Sequence, residues 1–458
     1  MTAASGADML AAPAEPDGAA RIPVLDILRG LAILGILFMN INHMGGSSHA
    51  SFGDPRHFGW SAADQAVWWV RAVFADGTAR CLLEMLFGAG MVILTTRAAD
   101  RLGASRWAVM RSYYWRNFVL FLFGLVHILI LLWPGDILHS YAIAALLAFW
   151  FRNLRPRWLI TIALLLATVQ LAGGSYAYYD RASSQAAAAQ VEAKRESGQA
   201  LTAADRAIVV EEEKSRASFA RHQSRMRADI AAEERDRTGT FATWARSQYE
   251  FAGRIQVKGI ELIIVWEALS TMLLGAALFK LGILQGGRDR RYYLKLMILA
   301  YALGGLARAV GAWEETRFDA APKTIWATME YARIFMTIGH VALVNWMVKA
   351  AGGLRLLRPF VAAGRAALSI YIAQTIVCMW ILYPPFALGL YNKTSWWGLM
   401  LTALIVNAAL TWAAMRWFER YRIAPVEWAW RSLVEMRRLP FRKRAQKPVG
   451  RPAEVAAG

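Results

Sequence analysis

Ten times along this chain a run of mainly apolar residues approaches the roughly 20 that an α-helix needs to cross the hydrocarbon core of a bilayer. The runs cover 24–43, 79–96, 114–133, 136–151, 157–177, 255–279, 293–312, 325–348, 366–386 and 396–418. In lipid an exposed backbone amide has no water to bond, so such runs must fold as helices that satisfy their own amides and carbonyls. The expectation is an all-α polytopic membrane protein with about ten transmembrane helices. Composition agrees: 57% of the 458 residues are hydrophobic and 19% charged, against about 25% charged in a soluble domain. Only Pro134-Gly135 separates the third run from the fourth, which predicts a tight helical hairpin. Residues 60–75 are amphipathic and Trp-rich, and read as a helix lying in the interface.

A formal charge of +19 raises the question of nucleic acid. The placement of the charge answers it. Taken in alternate short loops, and with the tail from Arg416, 28 Lys and Arg fall on one side of the membrane and five on the other. This asymmetry predicts both termini in the cytoplasm and an even number of spans, and it accounts for the basicity without nucleic acid. The chain then divides into a disordered cytoplasmic N-terminus (1–22), helices one to five (23–179), a polar helical extracytoplasmic insert (180–254), helices six to ten (255–418) and a basic cytoplasmic tail (419–458). The N-terminus lacks the basic-then-apolar order of a signal peptide, so the first helix is read as retained. The insert nearly balances its charges, 13 basic against 12 acidic, and has few large apolar residues, which predicts little contact with the membrane body. The tail, with Arg437, Arg438, Arg442, Lys443, Arg444 and Lys447, suits anionic lipid headgroups. The two cysteines, Cys81 and Cys378, sit in apolar runs and read as small hydrophobes.

Ionisable residues inside spans are costly, and each is a candidate for function. Asp26 and Arg29 open the first span at i,i+3, either as a helix-start ion pair or as an arginine facing a phosphate from the cytoplasm. His127 lies near the outer end of the third span, with Asp136, His139 and Tyr141 across the hairpin. An imidazole held by a carboxylate is what a general base needs; a carbonyl-capping histidine is the plainer alternative. His43, His49 and His57 follow the first span without the spacing of a metal site, and no metal is expected. Glu84 is explained by Arg80 at i,i+4, and Glu267 has possible partners in Arg308 and Arg333, as an internal ion-pair lattice or a proton path. His340, Gln374 and Asn407 read as interhelical hydrogen-bond glue.

The ordered blocks LDILRGLAILGI (Leu25 to Ile36), LFGAG (Leu86 to Gly90), GLVH ending in His127, GDIL (Gly135 to Leu138), GRAALSIYIAQ (Gly364 to Gln374) and Pro425-x-Glu427-Trp428-x-Trp430-Arg431 resemble the YeiB-like bacterial membrane proteins, a domain of unknown function. The likeness runs from residue 22 to about 435, with departures at Ala424 and at Ser369-Ile370. It implies a multi-pass protein of the bacterial plasma (inner) membrane. A shorter likeness, carried by Asp26-x-x-Arg29-Gly30, is to the heparan-α-glucosaminide N-acetyltransferases and the acyltransferase-three type of membrane acyltransferase. Those enzymes pass an acyl group from cytoplasmic acyl-CoA to a carbohydrate or envelope acceptor outside. By that likeness Asp26 and Arg29 would meet the CoA phosphates and an outer histidine would be catalytic, with His57, His43 and His127 all open. The leading reading takes His127 as base, oriented by Asp136. A small-solute permease and a non-catalytic envelope protein are the alternatives.

Overall fold

The computed structural model describes residues 22–101, 105–257 and 260–443. The expected N-terminal disorder, over residues 1–21, and the tail cations Arg444 and Lys447 lie outside them. Among the described residues the fold is all-α, and the one β-type pairing is an isolated bridge between Tyr421 and Arg442. Among the described residues each of the ten apolar runs is mainly helical. We label the helices α1 (Pro23–Gly45), α2 (Ala62–Val70), α3 (Thr78–Arg101), α4 (Arg106–Leu129), α5 (Leu138–Ala148), α6 (Pro156–Glu196), α7 (Ala203–Thr238), α8 (Phe241–Val257), α9 (Ile260–Lys280), α10 (Arg290–Glu315), α11 (Ile325–Val348), α12 (Arg358–Arg365), α13 (Ala367–Thr375), α14 (Trp396–Arg420) and α15 (Pro425–Val434).

By length and hydropathy six of these stretches can cross a membrane, and a seventh if α12 and the segment Ala367–Leu382, bent by 78° at their junction, count as one broken span. These helices make the chain a membrane protein. The count of about ten is not reached by this measure for physical reasons. Arg116, Asn117 and His127 dilute α4, Glu330 and Arg333 dilute α11, and the apolar helix Leu138–Phe151 is short. Helix pairs touch through glycine. A Cβ at Gly30 would collide with Phe360 O, and one at Gly364 with Asp26 O, so α1 and α12 meet backbone to backbone. Gly88 of α3 and Gly275 of α9 do the same against Met272 O and Met85 O. Polar side chains fasten the contact further: Gln374 donates to Ile33 O at 3.2 Å and to Asn407 Oδ1 at 2.9 Å, and Asn407 donates to Leu34 O at 2.9 Å.

The insert is helical, as its charge pattern predicts. Helix α6 continues 41 residues without a break, and α7 starts on a capping box in which Thr202 and Asp205 exchange hydrogen bonds. The Lys194 ammonium and the Thr202 groups draw the Asp205 carboxyl down to about 2. The expected lack of contact with the membrane body does not hold at the far end of α7. Arg237 is 1% exposed and donates to His43 O (2.8 Å), Met44 O (2.6 Å) and Gly46 O (2.9 Å), the orphaned carbonyls that close α1. Glu233 accepts from Ser47 Oγ at 2.6 Å and from the Ser48 and His49 amides at 2.9 and 3.1 Å. Trp244 of α8 is buried against Trp380 and Phe386. Few apolar residues are needed here, because two charged ones meet a ready-made helix end.

At the other end, Glu427 of α15 is buried and accepts from the Leu368 amide (2.7 Å), the Ser369 amide (3.2 Å) and Ser369 Oγ (2.5 Å), capping the start of α13. Trp428 bonds Leu439 O at 2.8 Å and packs on Phe441, so it fastens the tail back on itself. Trp430 lies under the Arg116 guanidinium, 4.0 Å from its carbon.

Candidate functional site

The hairpin between α4 and α5 folds as its Pro-Gly step predicts and sets Asp136 at the first turn of α5. One carboxylate oxygen, Oδ2, accepts from the Leu138 and His139 amides at 2.9 and 3.1 Å, which closes the open helix end. The same carboxylate serves two imidazoles. His127 Nδ1 lies 2.7 Å from Oδ1, and His139 Nδ1 lies 2.8 Å from Oδ2. Glycine at 124 makes room: a Cβ there would come 2.5 Å from the His139 amide nitrogen.

On its far side His127 Nε2 is 2.8 Å from Thr375 Oγ1. A carboxylate acceptor at Nδ1 fixes the proton there, so Nε2 is left as the acceptor for the threonine hydroxyl; this tautomer follows from the network. Asp136, His127 and Thr375 are 3%, 0% and 0% exposed. Tyr371 packs edge-on to the His127 ring, with centroids 4.8 Å apart, and its hydroxyl accepts from the Ile137 amide at 3.3 Å. Carboxylate, imidazole and hydroxyl stand in the order that an orienter, a base and a proton donor take in nucleophilic sites. Thr375 was not legible in the sequence: it lies 248 positions from His127, and no local spacing links them. His139 is drawn elsewhere, with Nε2 3.0 Å from Gln256 Oε1 and 3.2 Å from Glu261 Oε2.

Asp26 and Arg29 form the expected pair, at 2.9 Å, with 39% of the arginine side chain exposed. Arg29 lies on α1 one turn, and Asp26 two turns, before Ile33, the residue that accepts from Gln374 beside Thr375. The two candidate groups are thus joined along α1 without touching. The three histidines at and after the end of α1 are engaged by the insert or by aromatic rings. His57 pairs with Glu234 at 2.9 Å, His49 meets Arg254 at 3.2 Å, and His43 packs on Phe52.

The ion-pair lattice is present, with one partner different from expectation. Arg333 is bound by Glu330 (2.8 Å) and Glu84 (3.2 Å), and Arg80 by Glu267, with Glu84 at 3.6 Å. Arg308 does not join it. Its guanidinium donates instead to Asp76 O, at the break before α3. His340 bridges Tyr301 and Phe74 O, both at 2.8 Å.

Comparison with known proteins bears on which of these groups to follow. Residues 278–437 match the family described as "Protein of unknown function (DUF418)". Across 432 residues, 93% of this chain and 97% of the relative, the sequence is 29% identical to "Uncharacterized protein YxaH" of Bacillus subtilis (strain 168). Across 419 residues, 90% and 95% of the two, it is 25% identical to "Uncharacterized protein YeiB" of Escherichia coli (strain K12). The chain is YeiB-like. No solved structure gives a match. The matched stretch of this YeiB-like chain holds Thr375, Gln374 and Glu427, while His127 and Asp136 lie before it.

Proposed function

We propose that this protein moves an acyl group across the membrane, from a CoA thioester at the cytoplasmic face to a hydroxyl or amine acceptor outside. The observation that supports it most is the buried series Asp136–His127–Thr375, at 2.7 and 2.8 Å. The threonine hydroxyl marks the position that an acceptor hydroxyl would take. His127 Nε2 removes the acceptor's proton as its oxygen attacks the thioester carbonyl, Asp136 steadies the imidazolium, and that proton then goes to the departing CoA thiolate. General-base work of this kind contributes about 10²–10⁴-fold. Arg29, steadied by Asp26, meets the donor's phosphates from the cytoplasmic end of α1. In this reading the protein is a plasma-membrane protein of a bacterium with both termini inside, and its basic tail lies on anionic headgroups.

A small-solute permease is the second reading, favoured by the buried cluster of Arg80, Glu84, Glu267, Glu330 and Arg333. Purified protein in nanodiscs, offered a set of acyl-CoA donors with free thiol as the readout, separates the two. The acyltransferase releases thiol, and Asp136→Asn slows it. If no donor is bound or turned over while solute is taken up in proteoliposomes, the permease reading replaces it.

A further inference from the structure

A second site lies at the opposite end of α4 from His127. Between the first turn of α4 and the turn that ends α5 opens a cavity of about 460 Å³ lined by Arg106, Arg152, Asn153, Trp107, Met110 and Trp150, with Phe149 at its base. Two arginines share it, and no carboxylate is among the lining residues. Arg152 donates to Phe149 O at 3.0 Å, with its guanidinium carbon 3.7 Å from the Phe149 ring centroid. Two like charges around one cavity repel unless an anion lies between them. Apart from Asn153 the other walls are apolar, and Trp107 and Trp150 stand 69% and 68% exposed, the placement of aromatic residues at a membrane–water boundary.

We infer that this cavity binds an anionic phospholipid, its phosphate between Arg106 and Arg152 and the start of its acyl chains against Trp107, Met110 and Trp150. Guanidinium groups match phosphate oxygens in a fork, and the indole rings cover the glycerol and upper chains. The occupant is a lipid rather than the proposed donor because of distance. Arg106 and His127 are 21 residues apart on one helix, about 31 Å, so a phosphate held here is a full hydrocarbon thickness from the base. The adjoining ends of α3 and α4 carry five arginines (Arg97, Arg101, Arg106, Arg111 and Arg116), which places the cavity at the inner leaflet by the same asymmetry that orients the chain.

The test is native mass spectrometry of the purified full chain in detergent, equilibrated with equal amounts of phosphatidylglycerol and phosphatidylcholine. Phosphatidylglycerol adducts should dominate, and Arg106→Gln should cut that preference about fivefold. Arg106→Lys should keep most of it. Arg152→Gln should act in the same direction, but Arg152 also holds the turn through Phe149 O, so Arg106→Gln is the cleaner variant. Replacing Arg444, Lys447 and Arg451 with glutamine should leave the preference intact, which separates the cavity from the basic tail. Equal retention of the two lipids by the wild type would overturn the inference, as would an unchanged preference in Arg106→Gln. Displacement of the lipid by millimolar CoA or inorganic phosphate would overturn the choice of a lipid.

Discussion

Asp136 organises the hairpin by holding four donors on two oxygens: two backbone amides and two imidazoles. Its pairing with His127 was legible because the Pro-Gly step leaves the two nine residues apart on facing helix ends. Thr375, Glu233 and Arg237 were not legible, since each meets its partner across more than 180 residues. The proposed chemistry divides between residues. His127→Ala should lower acyl-CoA turnover about 10²–10⁴-fold and leave donor binding nearly intact, whereas Arg29→Ala should weaken binding. Equal turnover by His127→Ala would move the base elsewhere and keep the enzyme class. Arg237 belongs to stability rather than chemistry. Its removal leaves the buried Glu233 carboxylate without its countercharge and takes a donor from three helix-end carbonyls, so Arg237→Ala should cost about 3–5 kcal/mol, read as a fall in melting temperature in detergent. An unchanged melting temperature would show that the clamp contributes nothing.

Elements explain why the expected span count and the helices differ. A hydropathy pattern finds apolar runs, but it does not register that a run can bend by 78° after a glycine packed on another backbone, as α12 does at Gly364. Nor does low apolar content foretell docking, because α7 is fastened by a guanidinium and a carboxylate rather than by a hydrophobic face. Deleting 185–245 and bridging the gap therefore removes Glu233, Arg237 and Trp244 and should destabilise the protein, whereas shortening α6 and α7 together with residues 229–257 kept should be tolerated. Monodispersity in detergent reads both, and a well-behaved 185–245 deletion would contradict the clamp. The clamp also has a pH signature. Burial pushes the Glu233 carboxyl up, yet Arg237 and the Ser47, Ser48 and His49 donors hold it below its ordinary 4.5. A lowered folded value means stability that is full above 4.5 and lost as pH falls through the lowered value. Wild type should thus lose more melting temperature than Glu233→Gln on acidification from about pH 6 to 3. Parallel curves would remove Glu233 from the account.

The whole molecule joins a helical membrane body to a helical insert clamped over the end of α1, with the Asp136 site and the Asp26–Arg29 pair at different heights along it. An all-α membrane protein was plain in the sequence because period and length alone carry that signal. The tertiary partners that make the site were not, because they depend on which helices pack. Both proposals on function depend on sidedness, which cysteine labelling at Ser218 addresses: an outside reagent should reach Ser218→Cys in intact cells, and labelling only after permeabilisation would invert the topology. The most direct measurement follows an acyl group itself. Everted membrane vesicles from cells that express the protein keep envelope acceptors in their lumen and present the cytoplasmic face outward. With radiolabelled acyl-CoA added outside, the account predicts label covalently attached to lumenal material with wild type and not with His127→Ala. Label that remains on CoA, or appears equally with His127→Ala, would contradict it.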